Sequence, residues 1–367
     1  MNSESEPALQ ALVERVQAAR AAHSRLYIHG GNSKRFYGNA AEGEPLDMRA
    51  LCGISSYEPS ELVVTARAGT PLAELEATLA EQGQCLPFEP PRFAPHGTVG
   101  GMVAAGLSGP SRAAVGSVRD HVLGATLLNG KCEVLSFGGQ VMKNVAGYDV
   151  SRLLAGSLGV LGAVCEVSLK VMPKPAATAT LRFELDQAAA LQRLNQWAGQ
   201  PLPLHASAWW DGMLVLRLSG AVAAVRAAAS KLGGEAIEPA MAAAFWDGLR
   251  DQHDEFFVGA RRAVEGGALL WRLSLPQTAA PLELSGQQLI EWGGAQRWLC
   301  SSLAAGVVRD ATAAAGGHAT LFMGHDRGAG VFAPLTGPLV RIHRELKRAF
   351  DPDGVFNPGR LYPGLWP

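Results

Sequence analysis

Apolar residues recur at helical spacing near the start of the chain. Leu9, Leu12, Val13 and Val16 share one face and predict a helix from Pro7 to Ala22. A short apolar run predicts a strand over Arg25–His29, followed by the polar, glycine-rich loop GGNSKRFYGN. Alternation predicts a strand over Leu62–Ala68. Thr70-Pro71 then opens a helix, with Thr70 as N-cap and Leu72, Leu75 and Leu79 on its inner face. From Leu86 to Gly116 the chain is dense in Gly and Pro, and a connection that long is usually functional. Asn129-Gly130 lies between two apolar runs and predicts a tight hairpin. Leu161–Val171 reads as a strand that closes this half, punctuated by Pro173-Lys174-Pro175.

Beyond that point alanine rises and the glycine-rich loops thin out, which sets a boundary. The pattern predicts a strand over Thr178–Leu185, a helix over Gln187–Ala198 and a hairpin turning at Asp211-Gly212. Helices follow at Val222–Leu232 and Ala240–Gln252, then a strand at Ala268–Leu275, a helix at Leu303–Ala314 and a strand at His318–Met323. Strands and helices in mixed order give an α+β unit. Near the C-terminus Leu339, Ile342, Leu346 and Phe350 share a helix face, with Arg341, Arg344, Lys347 and Arg348 expected outside it. Asp351-Pro352 stops that helix, and FNPGRLYPG is irregular.

Composition narrows the class. Hydrophobic residues at 48% and charged residues at 18% indicate a soluble, globular chain, and 367 residues suffice for more than one core. A net charge of -1 argues against a dedicated nucleic-acid binder, which needs a basic face. The start is acidic and then amphipathic, unlike a secretory signal. No run approaches the ~18 apolar residues of a membrane span. The five cysteines are scattered with no CxxC pair, which suits reduced, buried thiols in the cytoplasm and no metal or cluster site on this chain.

Familiar nucleotide devices are missing. Gly156, Gly159 and Gly162 give GxxGxxG, not the Rossmann GxGxxG. The order in 30-GGNSK-34 is wrong for a P-loop, GLSGP is no nucleophile elbow, and HExxH is absent. What remains is a set of glycine-rich loops: 28-IHGGNSK-34, 97-GTVGGMVAAGLSG-109, 116-GSVRDHVLG-124 and 143-KNVAGYDVSRLLAGSLGVLGAV-164. Each can present backbone N–H groups to phosphate, and each can equally be a turn or bulge. A helix starting near Thr98 adds its positive end. Four such loops in one half suit one long ligand, a dinucleotide.

These stretches are similar to the FAD-binding domain of the vanillyl-alcohol-oxidase (PCMH) type. The matching residues are Gly30-Gly31-Asn32-Ser33, Thr98 to Ala104, Gly116 to Gly124, Gly156 to Pro175 and Phe350 to Arg360. Further stretches, EPPRFAPHGTVGGMVAAGLSGP, FGGQVMKNVAGYDVSRLL, LIEWGGAQRWL, AGGHATLF and FDPDGVFNPGR, narrow the resemblance to FAD-binding subunits of bacterial glycolate oxidases. The resemblance implies a two-subdomain FAD-binding domain over 1–175, an α+β cap over 176–335, and a segment over 336–367 returning to the FAD domain. It implies non-covalent FAD, since Asn32 stands where some relatives carry the flavin-linked histidine. Cofactor contacts then fall to His29, Gly30, Gly31, Asn32, Ser33, Pro90, Thr98, Val99, Gly100, Gly101, Ala104, Gly106, Ser117, Val118, Asp120, Gly159, Gly162, Val164 and Asn357. It also implies oxidation of glycolate to glyoxylate in a complex with a larger FAD-containing subunit and an iron–sulfur subunit that passes electrons towards membrane quinone. On that reading the chain is cytoplasmic and meets the inner membrane only through partners.

Oxidation of a 2-hydroxy acid needs a cation for the carboxylate and a base for the hydroxyl proton. Arg272 and His318 are the catalytic candidates, each with a plainer alternative as a paired arginine or a loop histidine. Lys143, Asn144 and Tyr148 are candidates for contacts with flavin or a partner. The motifs GDGNxH and GEHGxG of related dehydrogenases are absent. Three readings stay open: an oxidising subunit, a flavoprotein relay, and a scaffold without flavin.

Overall fold

Pro7 opens the first helix, α1 (Pro7–Ala21), where its missing N–H goes unused. Leu9, Leu12, Val16 and Ala19 are buried on one side of it. The computed structural model describes residues 7–40, 42–139 and 149–365; Lys143, Asn144, Gly147 and Tyr148 lie outside the described residues. Strand β1 (Leu26–His29) pairs in parallel with β2 (Glu44–Asp47). Leu26 also bridges to Phe356 of the C-terminal tail, so the two ends of the chain meet here.

The chain then builds an antiparallel sheet from β3 (Ile54–Glu58), β4 (Val63–Arg67), β6 (Val122–Leu128), β7 (Val134–Gly138) and β8 (Ala163–Lys170), in the order β3-β4-β8-β6-β7. The short β5 (Gln84–Cys85) pairs with β9 (Met172–Pro173). Helix α2 (Leu72–Glu81) lays Leu72, Leu75 and Leu79 into one core with Val64, Ala66, Val167 and Leu169. Full burial of each such leucine contributes about 1.5–3 kcal/mol. Short helices α3 (Val99–Ala105), α4 (Arg112–Val115) and α5 (Val118–His121) fill the Gly/Pro-rich connection.

Residues 177–323 form an eight-stranded sheet with helices packed on it. In chain order these elements are β10 (Ala177–Glu184), α6 (Gln187–Ala198), β11 (Leu204–Trp210), β12 (Met213–Gly220), α7 (Val222–Leu232), β13 (Glu235–Ala236), α8 (Pro239–Asp251) and α9 (Glu255–Glu265). They continue with β14 (Leu269–Ser274), β15 (Gln287–Glu291), β16 (Gln296–Ser301), α10 (Ala305–Ala314) and β17 (His318–Met323). The strand order is β13-β10-β12-β11-β15-β16-β14-β17, with antiparallel pairing throughout. Helix α11 (Gly337–Phe350) and the tail then return to the first sheet, where Leu346 and Phe350 pack on its core. The chain is thus α+β, with two large sheets, two short strand pairs and a returning C-terminal segment.

Four expectations change. Thr70 does not cap α2; its hydroxyl accepts from the Gly53 N–H and donates to the Gly53 carbonyl, both at 3.0 Å. The turn at Asn129-Gly130 is a longer loop, 129–133, because Asn129 Oδ1 accepts the N–H groups of Lys131 and Glu133. The face of α11 is partly inverted. Lys347 is 3% exposed, whereas Leu339 and Ile342 are 44% and 53% exposed. Lys347 Nζ reaches inward to Asp351 Oδ2 at 2.6 Å and to the carbonyls of Val160 and Phe356. Finally, α9, β15 and β16 are elements the residue pattern did not reveal.

Candidate functional site

Strand β1 ends at His29, and residues 30–34 turn across the start of α3. A Cβ on Gly30 would stand 2.3 Å from Thr98 Oγ1, and one on Gly31 would stand 1.5 Å from the His96 carbonyl oxygen. Glycine is therefore required at both positions for the two loops to meet. Asn32 takes a left-handed φ of 56°, which asparagine tolerates, and Arg35 N–H closes the turn on the Asn32 carbonyl at 3.1 Å. The N–H groups of Gly30, Gly31, Asn32 and Ser33 have no acceptor among the described residues. Successive free amides of this kind make a concavity for an anion.

Helix α3 contributes differently from expectation. Thr98 is its N-cap, with Oγ1 accepting from Gly101 N–H at 3.3 Å. The Val99 and Gly100 amides already bond the carbonyls of Thr70 and Ala68, at 3.0 and 2.8 Å. The unsatisfied donors of the cleft therefore come from the 30–33 turn.

The cleft consists of two adjoining hollows that share His29, Gly30, Thr98, Gly101, Ala104 and Asn357. The first also carries Gly31, Asn32, Ser33, Lys34, Arg35 and Arg360. The second continues past Gly100, Gly159, Gly162 and Val164 between the apolar side chains of Met48, Ala68 and Leu158. Gly159 and Gly162 have φ of 74° and 148°, and a Cβ on either would come within 2.6 Å of a neighbouring atom. Asn357 seams the wall. Its Oδ1 accepts from Ile28 N–H at 2.8 Å, and its Nδ2 donates to the Leu158 carbonyl at 2.6 Å.

The electrostatics favour an anion. Arg360 bonds the carbonyls of Asn39, Arg35 and Tyr37, with no carboxylate in ion-pair range among the described residues, so its charge stays uncompensated. Arg35 lies over the Tyr27 ring. Lys34 lies over Phe93, and burial lowers its ammonium to about 8 against the opposing pull of Asp251 and Glu76. His29 is stacked on Tyr27, with Nδ1 3.0 Å from the Gly30 carbonyl.

The remaining expected cofactor contacts stand off these walls. Val99 and Val118 are fully buried in the first core. Ser117 and Asp120 form a capping box at α5, with Asp120 Oδ2 accepting from Ser117 N–H at 2.8 Å. Gly106 is the left-handed C-cap of α3, and Pro90 is buried beside Glu89. Of the catalytic candidates, Arg272 faces the first unit from β14, with Nη2 3.3 Å from the Tyr37 hydroxyl. His318 stands exposed at the start of edge strand β17 and lines neither hollow. Lys34, Arg35 and Arg360 were not singled out as contacts, although Lys34 directly follows the glycine turn and Arg360 ends the NPGR run. The apolar walls Met48, Ala68 and Leu158 have no motif that announces them.

A donor-rich turn, nearby cations and an apolar wall in one cleft fit an FAD-like dinucleotide. A family model described as an FAD binding domain matches residues 8–138. The chain is 48% identical over 356 residues to the glycolate oxidase subunit GlcE of Escherichia coli (strain K12), covering 97% of this chain and 98% of that protein. It is 32% identical over 176 residues to a D-2-hydroxyglutarate dehydrogenase of Xanthomonas citri pv. viticola, covering 46% of this chain and 37% of that one. Among solved structures an alkyldihydroxyacetonephosphate synthase aligns with a TM-score of 0.63 at 16% identity, over 96% of this chain and 76% of that one, which speaks for the fold.

Proposed function

Because this chain belongs to the family of the glycolate oxidase subunit GlcE, we propose that it is the FAD-binding subunit of a glycolate oxidase, an oxidoreductase that converts glycolate to glyoxylate. Residues 1–175 form the FAD-binding domain, 176–335 the cap and 336–367 the segment that returns to the FAD domain. Bound FAD supplies the two-electron acceptor. The chain's own residues do the holding. The amides of Gly30, Gly31, Asn32 and Ser33 would hold the pyrophosphate, Lys34, Arg35 and Arg360 would neutralise it, and Gly159, Gly162 and Val164 would leave room for a flat ring. The cofactor is held without a covalent link. Electrons pass through a larger flavin subunit and an iron–sulfur subunit towards membrane quinone. Among the described residues no helix is long and apolar enough to cross a membrane.

The observation that carries this reading is the 30–33 turn, whose four amides are free while cations surround it. A second reading, a flavoprotein relay without its own hydroxy-acid site, is favoured by the exposed position of His318. Anaerobic addition of glycolate to the purified chain separates them. Bleaching of its visible flavin spectrum supports oxidation on this chain. Bleaching only after the larger subunit is added supports the relay, and absence of flavin sinks both.

A further inference from the structure

The apolar stripe of α11 is only half used by its own fold. Leu339, Ile342, Leu346 and Phe350 fall on one face of the helix. Leu346 and Phe350 pack on the core of the first sheet, and the Phe350 ring lies 6.1 Å from that of Phe137. The stripe then runs on past that core. Leu339 and Ile342 are left 44% and 53% exposed. Two apolar side chains one turn apart, in line with a buried pair, differ from apolar residues scattered singly over a surface. Positive charge borders them. Arg341, Arg344 and Arg348 are exposed along the helix, with Glu345 as its one exposed acidic residue. The whole chain has a net charge of -1, so this excess is local. Arg344 donates to the Leu365 carbonyl at 3.0 Å, and Arg348 pairs with Glu345 at 2.8 Å, a surface pair that contributes little. Arg341 makes no hydrogen bond or ion pair among the described residues, and it lies in the half of the helix where the dipole does not favour a cation. The tail ties this helix to the cofactor cleft. Asn357 and Arg360 wall the cleft, and the Tyr362 ring packs edge-on against His343 of α11, with centroids 5.6 Å apart.

Resting on the reading of this chain as one subunit of a redox complex, we propose that the open half of α11 docks a partner subunit of that complex, through a surface with an apolar centre and an acidic rim. Leu339 and Ile342 enter the centre, so the partner covers the part of the stripe that this chain's core leaves bare. Arg341, Arg344 and Arg348 meet carboxylates at the rim. Charge complementarity selects this occupant. A second copy of this chain would set one protomer's arginines against the other's, which is repulsive. A helix that lies on an anionic lipid surface needs a broad apolar face with aromatic anchors. Here the inward side of α11 is taken up by the core, and no aromatic residue of the helix is exposed. Its exposed cations are all arginines, because Lys347 is turned inward. Arginine is the cation enriched at protein interfaces, where its planar fork matches a carboxylate with two hydrogen bonds. Arg344 and Arg348 also border a groove against Pro352, Gly354 and Gly364, which lets an acidic segment of the partner lie alongside the helix. A subunit seated here stands close to the cleft, separated from it by the tail that carries Arg360 and Tyr362, as a subunit that exchanges electrons with the cofactor must.

The test co-expresses the tagged full chain with the larger flavin subunit and the iron–sulfur subunit and measures how much of each is recovered with it. Leu339→Asp combined with Ile342→Asp puts charge where the partner buries apolar surface. It should lower recovery of a subunit by about 10-fold or more, with the FAD content of the chain unchanged. Leu339→Ala combined with Ile342→Ala keeps the helix and should lower recovery to a smaller extent. Arg341→Glu combined with Arg348→Glu should also weaken recovery, and added salt should loosen the native complex. Native recovery of both subunits in all three variants would overturn the docking surface. Three other results would overturn it by naming a different cover. One is binding of the native chain, but not of the aspartate variant, to phosphatidylglycerol vesicles, with subunit recovery unchanged. Another is a native chain that is dimeric alone while the aspartate variant is monomeric. The third is an Ile342→Cys thiol that is unreactive to maleimide in the isolated folded chain, which points to a cover from the chain itself. A native complex that assembles but leaves glycolate unoxidised would instead overturn the reading beneath the proposal and leave the surface standing.

Discussion

Gly31 and Glu291 do opposite things to the fold. The missing side chain at Gly31 lets two loops touch, whereas the charge at Glu291 works against burial. With its carboxyl raised from 4.5 to about 7 by burial, Glu291 contributes stability that is fully present below pH 4.5 and lost as pH rises through 7. Glu291→Gln should therefore raise the unfolding free energy at pH 8 by about 1–3 kcal/mol and leave it unchanged near pH 4. Denaturant unfolding at the two pH values checks this. The two residues also differ in legibility. Gly31 sits in a glycine pair after a strand and is readable from sequence. Glu291 becomes buried only through the pairing of β15 with β16 and β11, which no local pattern encodes.

Among the elements, the β11–β12 hairpin is the clearest case of local chemistry deciding structure. Asp211 and Gly212 have φ of 48° and 79°, as the primed turn demands, and an added Cβ at Gly212 meets nothing within 4 Å. Gly212→Val should thus cost only backbone strain, about 1–2 kcal/mol, with flavin content unchanged; thermal unfolding and visible absorbance check both halves. Helix α11 shows the limit of that legibility. Its heptad-like face suggested apolar burial, but Asp351 gathers Val355 N–H at 3.0 Å, Phe356 N–H at 2.8 Å and the Lys347 ammonium, which turns the lysine inward. That network depends on the tail folding back on β1, a long-range event. Lys347→Met should cost about 3–5 kcal/mol by leaving the Asp351 charge buried without its cation, seen as a lower denaturation midpoint. Strands β15 and β16 escaped the residue pattern for a related reason: neighbours bury both sides of their sheet, so the apolar alternation is blurred.

Across the whole molecule, the two units are joined by polar ties as well as by aromatic packing. Arg217 of β12 bonds Glu89 at 2.7 Å, Trp292 Nε1 donates to the Gly109 carbonyl at 3.0 Å, and Arg327 bonds the carbonyls of Phe36 and Gly38. Burial raises the Glu89 carboxyl, but Arg217 outweighs it and holds the group below the ordinary glutamate range. Its stability contribution is present above pH 4.5 and lost as pH falls through the lowered value. Arg217→Met should cost about 3–5 kcal/mol at neutral pH and less in acid, a difference calorimetry can read. These ties hold the large sheet against the unit that carries the cleft. The most direct measurement of its central claim is the FAD content of the purified full chain and of Gly31→Ala, released by acid precipitation and counted against protein. The account predicts stoichiometric FAD in the supernatant from the native chain and little from the variant, whose added methyl would collide with the His96 carbonyl. A native chain without FAD, or a variant that retains it in full, would contradict the account.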